Sequence, residues 1–249
     1  MSAWPDGYGR RVLPSVSSTL SEAARIAPEL TGPEWILALE QTAARGRRGR
    51  PWAMPPGNFA ATLVLHPSEP PGVAAVRSFV ASLALYRAFV AVTGREDAFA
   101  LKWPNDVLLR GGKIAGILLE SVGQGRGISH LAIGIGVNLV AAPGADAVEP
   151  GALRPVSLSS ETGVVITPEA FLDVLASEYA VLEQQFTTYG FSAIRAEWLA
   201  HAARLGEVIT ARTGTREDVG TFVDVDETGN LILDTSDGRR AIAAADVFF

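Results

Sequence analysis

Apolar and polar positions follow two periods along this chain, and the switches between them mark its elements. RRVLPSVSS, EWILALEQT and NFAATLVLHP are compact apolar runs bounded by Gly, Pro or polar residues, and they predict strands. Between the first two, TLSEAARIAPEL predicts a short helix, with Thr19 and Glu22 at the spacing of a capping box. From Val73 to Val92 the apolar residues recur every three or four positions, the pattern of a helix packed on a sheet, and Gly94 stops it. AFALKW, VLLR, KIAGILLES and ISHLAIGIGVNLV then predict a strand meander, turning at PND, GG and GQGRG. The segment 140–155 lacks either period and is rich in Pro, Gly and Ala, which predicts a mobile connection. A long helix is expected from the N-cap Thr167 and Pro168 to Gly190, and a further one in FSAIRAEWLAHAARL. Beyond Gly206, EVITAR, VGTFVDVDE, NLILDT and RRAIAAADVFF are short β-like runs that predict a small barrel of ~45 residues packed on the main body. Two domains are therefore expected, 1–204 and 205–249.

Composition narrows the chemistry. The 249 residues are 48% hydrophobic, enough for a sizeable core. A net charge of −6 and a pI near 5.2 argue against a general nucleic-acid coat, which needs a broad basic surface, so any anion site must be local. There is no cysteine, hence no disulfide, thiolate nucleophile or cysteine metal site. His66, His130 and His201 lack ligand spacing, so no metal site is expected from side chains. The N-terminus carries no signal-like apolar run and nowhere do 18 apolar residues follow one another, so no membrane partner is expected and the cytoplasm is the expected compartment.

Against that acidic background, ARGRRGRPW places Arg45, Arg47, Arg48 and Arg50 in six positions with Gly46 and Gly49 between them, too glycine-rich for a stable helix. A nucleic-acid patch, a solvated turn and a loop closing over an anionic small molecule all fit these residues. LKWPNDVLL puts Lys102 at a strand end, where Pro104 removes a donor and Asn105 and Asp106 favour a turn. Trp103 and Pro104 fix the backbone beside the ammonium, and Asp106 follows four residues after it. Lys113 and Gly116 fall on the next strand, and Gly134, Gly136 and Asn138 on the one after; a glycine inside a strand marks a bulge or a close approach.

Taken together and in this order, RGRRGRPW, KWPNDV, GKIAGILLE and GIGVN resemble the biotin protein ligase family, by motif from about Ser17 to Asn138. The resemblance implies an α/β (α+β) fold: a class II aminoacyl-tRNA synthetase-like catalytic domain on a mainly antiparallel sheet, with a small C-terminal SH3-like β-barrel. It implies ATP and biotin as substrates, Mg2+ with the nucleotide, and a biotin carboxyl carrier protein domain of an acyl-CoA carboxylase as partner. Biotin would be activated as biotinyl-5′-AMP and passed to a carrier lysine. By the same resemblance Lys102 and Arg45 are the catalytic candidates. Ser18, Thr19, Gln41, Arg45, Gly46, Arg47, Lys102, Gly116 and Asn138 would bind biotin or its adenylate, with Trp103, Asn105, Asp106, Lys113, Gly134 and Gly136 in support. The arginine loop would close over the adenylate and exclude water from a reactive mixed anhydride.

Two positions depart from the family pattern. Leu20 stands where the family's Ser-Thr-Asn triplet has its asparagine, and Ala44 where glycine is usual. Leu20 keeps a lipoate or octanoyl ligase of the same fold as an alternative. A nucleic-acid module using RGRRGR is a third reading, disfavoured by net acidity and by the lack of interleaved aromatics. An inactive scaffold is disfavoured by the presence of Lys102. Because the catalytic pattern begins within the first 20 residues, no DNA-binding module and no DNA partner are expected; a homodimer remains a candidate assembly.

Overall fold

The computed structural model describes residues 3–123, 128–144, 151–214 and 216–249. Seven strands form one sheet: β1 (Gly9–Leu13), β2 (Glu34–Ala38), β3 (Phe59–Leu65), β4 (Phe99–Lys102), β5 (Asp106–Leu109), β6 (Gly112–Val122) and β7 (His130–Val137). Their order is β1-β2-β3-β7-β6-β5-β4. β1 pairs with β2 in parallel, and every other neighbouring pair in this sheet is antiparallel.

The two faces of the sheet differ. On one, α3 (Arg77–Thr93) and α5 (Pro168–Tyr189) cover Trp35, Leu37, Ala61, Leu63, Ile133 and Ile135 in the main core. On the other, α1 (Thr19–Ile26) lays Leu20, Ala23 and Ile26 on Ile36, Val64 and Ala132. Alternation along each strand puts Thr62, Gly134 and Gly136 on this second face. Since α1 is only eight residues long, it leaves part of that face bare, and the bare part carries the glycines.

The helix expected over 73–92 is divided. Pro71–Ala75 is a short helix, α2, and Val76 separates it from α3, which Gly94 ends at φ 67. Within the stretch Pro71–Thr93 an 18-residue window has a mean hydropathy of 1.5, yet 72% of that window is buried, so its apolar residues serve the core. The capping box is a correction: Ser18 is the N-cap and its side chain makes no capping hydrogen bond, while Thr19 is already helical and turns its hydroxyl to Gln41 and Thr62. A short helix, α4 (Leu158–Thr162), was not foreseen. Thr167 caps α5 as expected, its Oγ1 accepting from Ala170 N–H at 3.2 Å. α6 (Phe191–Ala200) follows at once. Of the expected mobile connection, residues 145–150 lie outside the described residues, as do 124–127 of the GQGRG turn.

Five further strands, β8 (Val208–Thr213), β9 (Arg216–Val225), β10 (Leu231–Thr235), β11 (Gly238–Ile242) and β12 (Asp246–Phe248), make an antiparallel sheet in the order β11-β10-β9-β8-β12. Ile209, Phe222, Val225 and Leu231 from this sheet belong to the same contiguous core as the large one.

Candidate active site

A cavity of about 740 Å³ opens over the glycine-bearing face of the large sheet. The floor follows from register: Gly116 pairs with Gly136, and Gly134 with Leu118 and Thr62. A methyl at Gly136 would lie 2.7 Å from the Trp52 indole, and one at Gly134 would lie 3.0 Å from Leu20. The same addition at Gly116 would meet Trp52 at 3.3 Å and Lys113 at 3.4 Å. Close approach therefore requires glycine at 136, while at 134 and 116 a side chain would make its neighbour give way by a few tenths of an ångström. Leu20 and Trp52, standing directly above these glycines, set the depth of the trough.

One end of the trough is polar. Gln41 follows β2 and its Oε1 accepts from Thr19 N–H at 2.7 Å and from Thr19 Oγ1 at 3.1 Å, while Thr62 Oγ1 donates to Thr19 Oγ1 at 2.8 Å. Ser18 and Thr19 are buried beside them. Among the described residues the Gln41 amide nitrogen donates to the sulfur of Met54 alone, at 3.7 Å, so a strong donor remains for a better acceptor. Asn138, at the end of β7, donates from Nδ2 to Val156 O at 3.1 Å; its buried Oδ1 has no partner among the described residues.

The other end carries charge. Lys102 closes β4 and is almost buried, and its Nζ lies 3.9 Å from Asp106 Oδ2. Asp106 also holds Lys113 Nζ at 2.7 Å, which sits over the Trp52 ring at 5.7 Å. Burial pushes the Lys102 ammonium down from its ordinary range; Asp106 opposes that shift, and Lys113 and Arg47 add to it. Asn105 fixes the turn between β4 and β5, donating from Nδ2 to Ile117 O at 2.5 Å. Trp103 does not line the cavity: it is buried and donates from Nε1 to Gly229 O of the small sheet at 3.0 Å.

The arginine segment forms a hairpin over the trough. Arg45 bridges to Pro51, Gly46 N–H donates to Arg50 O at 2.7 Å and Trp52 N–H to Ala44 O at 3.0 Å, with a single 3-10 turn over Arg47–Gly49. Arg45 grips Glu120 of β6 at 2.9 Å and Ser21 of α1 at 2.9 Å, so it anchors the hairpin base as well as lining the cavity. Arg47 reaches Asn105 Oδ1 and Ala245 O, each at 3.4 Å.

All the residues expected at the site from sequence, Trp103 excepted, line this one cavity. Trp52, Arg212, Asp246, Val247 and Phe248 also line it and were not foreseen. Trp52 was within reach, being the aromatic that ends the arginine motif. The other four come from β8 and β12, and no local spacing announces them. Among the described lining residues, Arg45, Arg47, Arg48, Arg50, Lys102, Lys113 and Arg212 stand with the carboxylates of Asp106 and Asp246, so the described wall of the cavity is cationic and suited to an anion.

Comparison with known proteins agrees with this geometry. The model of the Biotin/lipoate A/B protein ligase family matches residues 9–138, and that of the Biotin protein ligase C terminal domain matches residues 205–249. A Biotin--[acetyl-CoA-carboxylase] ligase of Paracoccus denitrificans is 57% identical over 96% of this chain and 99% of its own length. The Bifunctional ligase/repressor BirA of Bacillus subtilis is 32% identical, over 95% of this chain and 71% of its own. Among solved structures, the biotin protein ligase of Aquifex aeolicus in complex with biotin and ATP superposes with a TM-score of 0.81 at 24% identity, covering 96% of this chain and 98% of that one, and shares the fold. From the glycine trough, its cationic rim and these matches, the chain belongs to the biotin/lipoate protein ligase family.

Proposed function

We propose that the protein is an ATP-dependent biotin–[biotin carboxyl-carrier protein] ligase. The observation that carries this reading is the convergence of Lys102, the arginine hairpin and the Ser18–Thr19–Gln41 cluster on one trough, in a chain 57% identical to a relative of that name. The biotin carboxylate attacks the α-phosphate of ATP, releasing pyrophosphate and leaving biotinyl-5′-AMP. The ε-amine of a carrier lysine then attacks the acyl carbon, and AMP departs.

Thr19, Gln41 and Ser18 receive the polar edge of the ring system, with Leu20 and Trp52 as apolar walls. Lys102 sits where the carboxylate and α-phosphate meet. Its fixed charge is worth most there because two anions must approach each other in a water-poor site. Asp106 positions Lys102 and Lys113, and Arg45 and Arg47 hold the hairpin over the product of the first step. Gly116, Gly134 and Gly136 leave the depth the ligand needs, and Asn138 offers its free acceptor. No cluster of three metal-ligating side chains occurs among the described residues, and Asp106 and Asp246 are both engaged by cations. Magnesium accordingly enters with the nucleotide, held by phosphate oxygens and water. In this reading residues 1–204 are the catalytic domain and 205–249 an SH3-like barrel, acting in the cytoplasm on the carrier domain of an acyl-CoA carboxylase. A homodimer belongs to the same proposal, and sedimentation at several concentrations tests it.

One feature favours a second cargo: Leu20 places an apolar wall at the polar end, which suits lipoate or octanoate. The RGRRGR segment is disfavoured as a nucleic-acid patch because its guanidiniums turn to Glu120 and Asp246. Pyrophosphate release with ATP and magnesium separates these readings. Biotin should trigger release and lipoate should not, and Lys102→Ala should slow it by on the order of 10²–10³-fold. Release with lipoate alone would reassign the cargo, and a Lys102→Ala protein of wild-type rate would remove Lys102 from the reaction.

A further inference from the structure

We propose that Asp246, on the last strand of the small sheet, is a positioning residue that latches the arginine hairpin over the cavity. Three guanidiniums of the hairpin converge on this one carboxylate: Arg48 at 2.5 Å, Arg50 at 3.6 Å and Arg47 at 3.7 Å. The neighbouring Ala245 carbonyl accepts from both terminal nitrogens of Arg47, so the first residue of β12 and the one before it take hold of the hairpin tip. The partners lie 198 positions apart in the chain, so neither has a local reason to be there. Arg48 meets Asp246 from a backbone φ of 57°, the left-handed region that a residue with a Cβ rarely occupies, which is the local cost of turning its guanidinium this way.

An isolated ion pair at a protein surface contributes little, because water screens it and two long side chains must be ordered. Asp246 differs in serving three arginines at once from a largely covered position. The base of the hairpin is tied separately to the large sheet through Arg45 and Glu120. Asp246 therefore fixes the free end of a flap whose other end is already fixed. With the Asp246 carboxylate among them, the three guanidiniums are able to gather before any ligand arrives.

Resting on the ligase reading, this gives the small sheet a task within the reaction: it keeps the mixed anhydride under the hairpin until the carrier lysine arrives. Loss of the latch would let biotinyl-5′-AMP escape or meet water after pyrophosphate has gone. Uncoupling is then the signature, read as pyrophosphate released per biotin attached at saturating carrier domain. Asp246→Asn keeps the shape and removes the charge, and should raise this ratio by about fivefold, the equilibrium shift at the upper end for such an ion pair. Trypsin should also cut the hairpin faster in the presence of biotin, ATP and magnesium. Asp246→Glu should restore much of both, which a purely structural role of the side chain would not produce. Arg48→Gln removes the same contact from the hairpin side and should uncouple the enzyme too, with the double variant no worse than Asp246→Asn.

The melting temperature of each variant is measured alongside. If Asp246→Asn does not fold, Arg48→Gln decides. An unchanged ratio in the folded variants, or Asp246→Glu as impaired as Asp246→Asn, overturns the latch. Biotin-dependent pyrophosphate release by the wild-type protein is the control that keeps the two ideas apart: its absence sinks the ligase reading itself, whereas its presence with an unchanged ratio sinks only the latch.

Discussion

Lys102 sits where its protonation and the binding of an anion must influence each other. Burial lowers its ammonium from the ordinary lysine value of 10.5, Lys113 and Arg47 lower it further, and Asp106 and Asp246 work the other way. The charged form is thus less favoured in the folded protein than in the unfolded chain. Its cost to stability is present below the depressed value and is relieved as the pH climbs through that value towards 10.5. A bound carboxylate or phosphate favours the charged form and moves Lys102 back up. Binding of biotin with ATP should therefore take up protons in the window between the free and bound values, and affinity should fall as pH rises through it. Calorimetry in two buffers of different ionisation heat measures the uptake directly. Lys102→Arg, which stays charged, should lose both the uptake and the pH slope; a wild-type affinity independent of pH would contradict this account. Lys102 was legible in the sequence because its signal is local, an ammonium at a strand end beside Trp103, Pro104 and Asp106. The residues that tune it were only partly so: Asp106 and Lys113 are near in the chain, but Asp246 arrives from the far end.

At the scale of elements, the site is a consequence of what β6 and β7 omit. Three glycines on neighbouring strands remove the side chains that would fill the face left bare by α1, and Leu20 and Trp52 close over the space. Gly136→Ala tests this. Its methyl would lie 2.7 Å from the Trp52 indole, so the indole and its hairpin must move. Overpacking of this kind costs about 1–3 kcal/mol, which predicts roughly 5- to 150-fold weaker binding of biotinyl-5′-AMP. Gly72→Ala, where an added methyl meets nothing, should bind normally. Equal affinity in the two variants would show that Trp52 does not bound the ligand space. Sequence periodicity revealed most strands of both sheets, because the runs are short and apolar, but it read RRAIAAADVFF as one run where the structure has two strands, β11 and β12. It did not reveal that Val76 divides α2 from α3, since the apolar spacing continues across the break. It also misread Thr19 and Glu22, whose spacing suits a cap although the Thr19 hydroxyl is drawn instead to Gln41 across the trough. α4 escaped notice because five residues are too few to show a helical period.

For the molecule as a whole, the small sheet is bound into the large one by more than the Asp246 contact. Trp103 Nε1 donates to Gly229 O, Arg195 of α6 holds Asp224 at 2.5 Å and also bonds the Val225 carbonyl, and a methyl on Gly229 would stand 3.0 Å from Phe79. Apolar residues of both sheets share one core. A boundary crossed by these polar contacts and by one shared apolar core should not open independently, so thermal unfolding should be a single transition with equal calorimetric and van't Hoff enthalpies. A chain ending at Leu205 would leave Phe79 and the Trp103 indole facing water and would lose Arg212, Asp246, Val247 and Phe248 from the cavity wall. It should melt at a lower temperature, bind a hydrophobic dye and release pyrophosphate on the order of 10²-fold more slowly, the scale of loss expected when reacting groups are no longer held in register. Two separate transitions in the intact protein, or a shortened chain with the wild-type rate and melting temperature, would mean that the small sheet only accompanies the site. A single transition whose temperature rises when biotin and ATP are added would mean that the cavity, though floored by one sheet and walled by the other, is a property of both together.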